Sequence, residues 1–484
     1  MHRKGFVRRF KALEILTEDQ IEEIHKATLD VLWETGIRIE HEGALKVLEK
    51  NGCRVNYQGN QVYFPPRLVE ECLRNCPSQF QLTARDPKDS LWVGDNRTYF
   101  GAAPGMTTVD LKTMEPRVPT RKEMYDAVTV LDALETVDYI MQYTPYFGFE
   151  GVPQVMAMIE TLAAKLRNST KFTAEGYSND CEIFTIQMFQ AVGADMFISC
   201  LPSPPLTYHR GSIEACLRAV EAGFAIKVGG GGMYGGTAPA TIAGAIVTNN
   251  AELIAPIVLF QLIRPGTRII VYNFNYPQNM RNGAPVFGAI ECSLHTAIFN
   301  QTWRRYGLPT WDDSGEFSSS KGIDFQLGYE KSMNTLLPAL CGGNGISVHG
   351  AIFGELTYHP FQAILDDDIV GMIGRFLRGV EVNTETLAID VIKAVGPIPG
   401  HFLNREHTQR WWKSEQFLPK AADRLTYPEW KEKGKKSALD YARERMREIL
   451  ETHRVSLPLT PSQEEDIERI IREAREYYVR KGLI

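Results

Sequence analysis

Between residues 98 and 380 the chain repeats one unit about eight times: a short apolar strand, then a helix. The strands read as Thr98–Gly101, Tyr139–Tyr143, Phe172–Tyr177, Phe197–Leu201, Ala225–Gly229, Arg268–Tyr272, Pro309–Asp312 and Gly345–His349. A helical stretch follows each, from Thr120–Leu134 through to Phe361–Leu377. Such alternation makes neighbouring strands parallel, and eight units close into a (β/α)8 TIM barrel. That fold carries its chemistry at the carboxyl ends of the strands, so the residues ending each strand are the ones to read.

Both flanks differ from the barrel. Thr17 with Gln20 three residues on is a capping box that opens a helix with an Ile21, Ile24, Leu29, Leu32 stripe, closed by Gly36. A second helix near residues 43–51, a strand at Val62–Phe64 and a helix at Arg67–Cys76 complete a small α+β cap. Beyond Gly400 the composition turns to Trp, Lys, Arg and Glu, and Thr460-Pro461-Ser462-Gln463 opens a last amphipathic helix. Three units are expected: an α+β cap over 1–97, the barrel over 98–395 and a helical extension over 396–484. The extension reads as a strap packed on the barrel or as a dimer or partner contact, and a homo-oligomer is expected.

With a net charge of −6 the chain has no basic footprint for nucleic acid. The basic opening MHRKGFVRRF leads into an amphipathic helix instead of an apolar core, so no secretory signal is expected. Ala238–Ile263 is apolar but interrupted by Asn249, Asn250, Glu252, Pro256 and Gln261, which suits a buried barrel helix and not a membrane span. Eight scattered cysteines without a C-x-x-C pair read as free thiols in a reducing cytoplasm.

The strand ends concentrate aromatic side chains: Tyr99, Phe100, Tyr143, Tyr146, Phe147, Tyr177, Tyr272, Phe274, Tyr276, Trp311, Phe317 and Phe353. One ring alone is ordinary barrel packing. Together they suggest a pocket for a cation, because a quaternary ammonium has no N–H to donate and is held by the negative faces of rings. Glu175, Asp313 and Glu316 stand close enough in sequence to add charge. No H-E-x-x-H, H-x-H or C-x-x-C occurs, and no metal is expected. The run from Gly229 to Gly236 allows close approach to backbone, but no Lys-Ser/Thr follows it as a phosphate loop requires.

Residues 16–25 (LTEDQIEEIH) with Glu34-Thr35-Gly36-Ile37, Pro119-Thr120 at a helix start, the glycine run, and Lys321 with Asp324, Gln326, Gly328 and Glu330 resemble the trimethylamine methyltransferase family over nearly the whole chain. The resemblance implies a barrel that moves a methyl group from a methylamine to Co(I) of a separate corrinoid protein. No tightly bound cofactor is implied, since the cobalamin belongs to the partner. The family's trimethylamine members carry pyrrolysine in the barrel mouth, whereas this chain shows only standard residues. That departure leaves the non-pyrrolysine branch, whose substrates are quaternary amines such as glycine betaine. Proline betaine, carnitine, γ-butyrobetaine and choline stay open, as does a barrel that binds such amines without turnover. A metal-assisted hydrolase is disfavoured by the missing ligand motifs.

A quaternary nitrogen already carries the charge that makes it a leaving group. The enzyme has mainly to aim one methyl group, so no catalytic acid or base is assigned. From strand-end position, Tyr99, Tyr143, Tyr177, Phe274 and Phe353 are expected to form the cage. Glu175, Asp313 or Glu316 would balance charge, and His349 would donate to a substrate carboxylate.

Overall fold

Eight parallel strands form the centre of the computed structural model, which describes residues 4–313, 315 and 317–484. They are β1 (Arg97–Ala102), β2 (Tyr139–Ile140), β3 (Phe172–Thr173), β4 (Phe197–Cys200), β5 (Ala225–Gly230), β6 (Ile269–Asn273), β7 (Thr310–Asp312) and β8 (Gly345–His349). The ladder runs β3-β2-β1-β8-β7-β6-β5-β4. It closes between β3 and β4, where Glu175 N donates to Phe197 O at 3.1 Å and Ser199 N to Glu175 O at 3.3 Å. The (β/α)8 barrel read from the repeat is the fold observed.

The helices are α1 (Arg121–Ala133), α2 (Ala157–Asn168), α3 (Glu182–Val192), α4 (Arg210–Ala222), α5 (Ile242–Ile263), α6 (Ile290–Arg305), α7 (Phe325–Leu340) and α8 (Pro360–Leu377). Among the described residues α5 is the one helix long and apolar enough to cross a bilayer, and most of it is buried. Its outer face is covered by the amino-terminal helices Glu18–Asp30, Glu42–Lys50 and Pro66–Arg74, which explains apolar residues all around it. All eight cysteines are buried and free.

Inside the barrel, large rings are accommodated by glycine on the adjacent strand. A Cβ at Gly101, Gly229 or Gly345 would lie 2.1, 2.0 or 2.1 Å from the rings of Tyr139, Tyr272 and Trp311 respectively. Any side chain there would expel a ring, so the interior is a packed jigsaw of Tyr139, Phe172, Phe197, Ile270, Tyr272 and Trp311. The amino end is stoppered by the hairpin Phe80–Leu82/Leu91–Val93, whose apolar side chains join this core.

Both flanks are tied to the barrel. Phe6–Val7 pairs antiparallel with β1, and Thr207–Tyr208, from the connection between β4 and α4, extends the sheet of the amino-terminal residues by pairing with Arg38 and Ile39. Near the carboxyl terminus, helix Ala438–Thr452 packs on α1 and α8, and Pro461–Arg480 packs on α2 and α3. Tyr478 Oη donates to Asn179 O at 2.9 Å, and Lys481 pairs with Asp180 at 2.5 Å.

Candidate functional site

At the carboxyl ends of β6, β7 and β8 six rings touch in sequence. Tyr272 stacks on Phe274 with centroids 6.1 Å apart and planes 12° from parallel. Phe274 meets the edges of Tyr276 at 5.2 Å and Phe317 at 5.3 Å. Phe287 continues the bank, 5.1 Å from Tyr276, 5.3 Å from Phe317 and 6.4 Å from Phe353. Phe274, Tyr276 and Phe353 stay half-buried, so ring surface remains open. Two ring faces already carry lysine amines: Lys227 Nζ lies 3.7 Å from the Tyr272 centroid and Lys321 Nζ 4.4 Å from that of Phe353. Both contacts have the geometry in which a ring's quadrupole attracts positive charge.

Carboxylates accompany the rings. Asp313, at the end of β7, is buried, and its Oδ1 has no hydrogen-bond partner among the described residues. Glu355, in the loop after β8, is pushed above the usual carboxylate range by burial and then by the charge of Asp313. The same Glu355 helps raise Tyr143 and Tyr276, the latter to about 12, although burial is the larger cause for both. Residues from the ends of β2, β6, β7 and β8 are thus within electrostatic reach of one another.

Two buried ion pairs hold this rim. Lys165 of α2 pairs with Glu175 at 2.5 Å and reaches the carbonyls of Met141 and Ala174. Burial raises the Glu175 carboxyl and Lys165 opposes the shift. Lys331 of α7 pairs with Asp366 at 2.7 Å and donates to the carbonyls of Val348 and Ala351, while Gly350 N donates to Asp366. The start of the loop carrying Phe353 and Glu355 is therefore pinned.

The residues expected from strand ends divide. Phe274, Phe353 and Asp313 lie in the ring bank or beside it. Tyr143 packs on Phe147 at 5.3 Å with backbone φ of +59°, on the β2 side of the mouth. Glu175 is committed to Lys165. Glu316 lies outside the described residues. Tyr177 faces the helix layer instead, with its phenol beside Ser212, Cys200 and Cys216 and raised to about 12 by burial.

Tyr99 and His349 require correction. Tyr99 sits near the amino end of β1, opposite Gly345, and its hydroxyl donates to Trp92 O at 3.0 Å and accepts from Trp92 N at 2.9 Å. It belongs to the floor of the barrel, not its mouth. His349 follows an irregularity in the β8–β1 ladder and is fully buried, its ring nitrogens bonded to Gly101 O at 3.0 Å and Thr136 Oγ1 at 2.9 Å. Both nitrogens are committed to the protein wall, so neither serves a ligand in the mouth.

Phe287 was not legible as a site residue. It comes from the long connection between β6 and α6, well past the strand end. Tyr276, Phe317 and Glu355 were visible as strand-end residues, but nothing in their spacing ranked them above their neighbours. Among the described residues no three His, Cys, Asp or Glu side chains are grouped to hold a metal ion. His295 is buried, stacked on Tyr234 at 5.5 Å, and desolvation lowers its pKa to about 3.

Comparison with known proteins agrees with this architecture. A family model described as trimethylamine methyltransferase (MTTB) matches residues 1–477. The chain is 31% identical over 431 residues to a glycine betaine methyltransferase of Desulfitobacterium hafniense strain Y51, covering 86% of this chain and 88% of that one. It is 29% identical over 435 residues to the trimethylamine methyltransferase MttB of D. hafniense DSM 10664 / DCB-2, covering 87% and 86%. Among solved structures, the monomethylamine methyltransferase MtmB of Methanosarcina barkeri superposes with a TM-score of 0.52 at 14% identity, over 90% of this chain and 89% of that one, which shows a shared fold.

Proposed function

Since the chain belongs to the trimethylamine methyltransferase family, we propose that it transfers a methyl group from a quaternary amine, glycine betaine first among them, to a corrinoid held by a partner protein. The observation that carries this reading is the bank of six rings beside Asp313 and Glu355 at the carboxyl ends of the strands. Rings and carboxylates suit a permanent cation that offers no hydrogen to bond. The corrinoid, when its carrier docks, supplies the nucleophile that accepts the methyl group. The C–N bond breaks with its electron pair left on nitrogen, so glycine betaine leaves as dimethylglycine.

This chain's share of the work is position and dielectric. The rings exclude water and fix the ammonium head so that one methyl points out of the mouth. Because the nitrogen loses its charge as the bond breaks, a site that held the cation too tightly would slow transfer. Glu355, with its raised pKa, compensates the charge only in part, which suits that requirement. Eight buried thiols fit a cytoplasmic setting.

The test is the absorbance change of a reduced corrinoid protein on methylation, measured with this enzyme and a panel of amines. We expect alkylation with glycine betaine and none with trimethylamine. Methylation by proline betaine, carnitine, γ-butyrobetaine or choline alone would move the substrate within the same chemistry. A corrinoid left unalkylated by every quaternary amine, each of them nonetheless bound, would leave a binding barrel without turnover.

A further inference from the structure

We infer that the amino end of the barrel carries a second binding site, in which Arg8 and Arg304 close on a phosphate group. The basic opening of the chain supplies Arg8: Phe6–Val7 pairs with β1, and Arg8 N donates to Asn96 O at 2.9 Å. Arg304 comes from the last turn of α6, and Gly342 from the turn that leads into β8. The Nη1 atoms of Arg304 and Arg8 lie 2.8 and 3.2 Å from the one point that a Cβ on Gly342 would occupy. Gly342 has a φ of +93°, which suits glycine, so that point stays open between the two guanidinium groups.

Two cations crowded at one point repel each other unless negative charge stands between them. Arg8 is only 7% exposed. Its Nε donates to Phe10 O at 3.2 Å and its Nη2 to Asn96 Oδ1 at 3.4 Å, but Nη1 donates to none of the described residues and no carboxylate among them pairs with Arg8. A buried charge left in that state is costly. Burial, and then the charge of Arg304, hold the Arg8 pKa below the usual arginine value. The acidic groups nearby are engaged elsewhere. Glu14 stands 3.8 Å from Arg304 but 3.0 Å from Lys11, and Asp95 accepts from Arg97 N at 2.8 Å. Burial pushes the Cys341 thiol up to about 11, which leaves it neutral.

A cavity of about 350 Å³ opens on the pair, and Ser78, Gln79 and Asn96 line it with neutral hydrogen-bonding groups beside Asp95. A phosphate group suits two converging guanidiniums better than a carboxylate does. Its tetrahedral oxygens can be taken in pairs from two directions, and its second charge matches the second cation. The site lies at the stoppered end, away from the rings. An anion there ties the amino-terminal strand to α6 and to the turn before β8, so its binding should stabilise the folded chain.

Calorimetric titration of the full chain with inorganic phosphate and with glycerol phosphate tests this, beside melting curves in phosphate and in chloride of equal ionic strength. Phosphate is expected to bind at one site and to raise the midpoint above that in chloride. Arg8→Gln and Arg304→Gln should each weaken binding at least about tenfold, whereas Lys46→Gln, which removes an exposed charge elsewhere, should bind as wild type does. Arg8→Lys keeps the charge but loses the planar fork and should recover only part of the affinity. Equal binding of both compounds assigns the site to the phosphate group itself, and binding of inorganic phosphate alone restricts it to the free ion. A midpoint no higher in phosphate than in chloride, or wild-type affinity in both Arg8→Gln and Arg304→Gln, overturns the inference.

Discussion

Replacing Glu252 by Gln should make the protein more stable at pH 8 than the wild type and leave it nearly unchanged at pH 4. Glu252 lies on α5, is 1% exposed, and accepts a hydrogen bond from Leu206 N at 2.8 Å. Burial raises its pKa to about 7, and the Leu206 contact only partly opposes the shift. In the unfolded chain a glutamate titrates near ~4.3, and each unit of difference is worth about 1.4 kcal/mol. A folded pKa above the unfolded one means that the native state binds more protons between those two values. Stability therefore falls as pH rises through that window. The accumulated loss above pH 7 is about 3–4 kcal/mol, to an order of magnitude. Glutamine keeps an oxygen for Leu206 and cannot ionise, so it escapes the loss. For a chain of this length about 1 kcal/mol moves the midpoint by about 1 °C, so the two melting curves should separate by about 3 °C between pH 4 and pH 8. Midpoints measured at one scan rate across that range suffice. Parallel pH profiles for the two proteins would refute the assignment of Glu252 as a buried acid that titrates near neutrality.

Glu355→Gln should abolish a pH dependence of onium binding that is expected of the wild type. Because the Glu355 pKa is raised, onium affinity should increase as pH rises and the carboxylate forms, and calorimetry in buffers of different ionisation heat should detect a proton released on binding. Lys165→Met strands the buried Glu175 and should cost about 3–5 kcal/mol, most of it recovered by adding Glu175→Gln, as thermal midpoints of the two variants would report. Gly229→Ala places a methyl group 2.0 Å from the Tyr272 ring and should cost about 1–3 kcal/mol while weakening onium binding, read by melting and by titration.

The barrel was legible because its signal is repetition. Each strand lacks individuality, but eight alternations of strand and helix admit few folds, and the observed strands overlap every expected one. The capping boxes at Thr17 and Thr460 are present as read, because their chemistry is local. The site was legible only where a strand end and the mouth coincide, as at Phe274 and Asp313. Tyr99 misled because β1 runs on to Ala102, which places a residue taken for the end of the strand near its beginning. His349 misled because the ladder irregularity after Ser347 changes which way the next side chains turn, and alternation alone cannot reveal it. Phe287 was hidden because a long connection obeys no period.

The stopper of Phe80, Leu82, Leu91 and Val93 beneath the barrel has a kinetic consequence. With the base plugged, the amine and the methyl acceptor proposed above would both have to use the ring-lined end. On the proposed chemistry the carrier cannot cap an empty chamber productively, nor can spent amine escape past a seated carrier. Turnover would then follow a compulsory order, with the amine first to enter and the demethylated product last to leave.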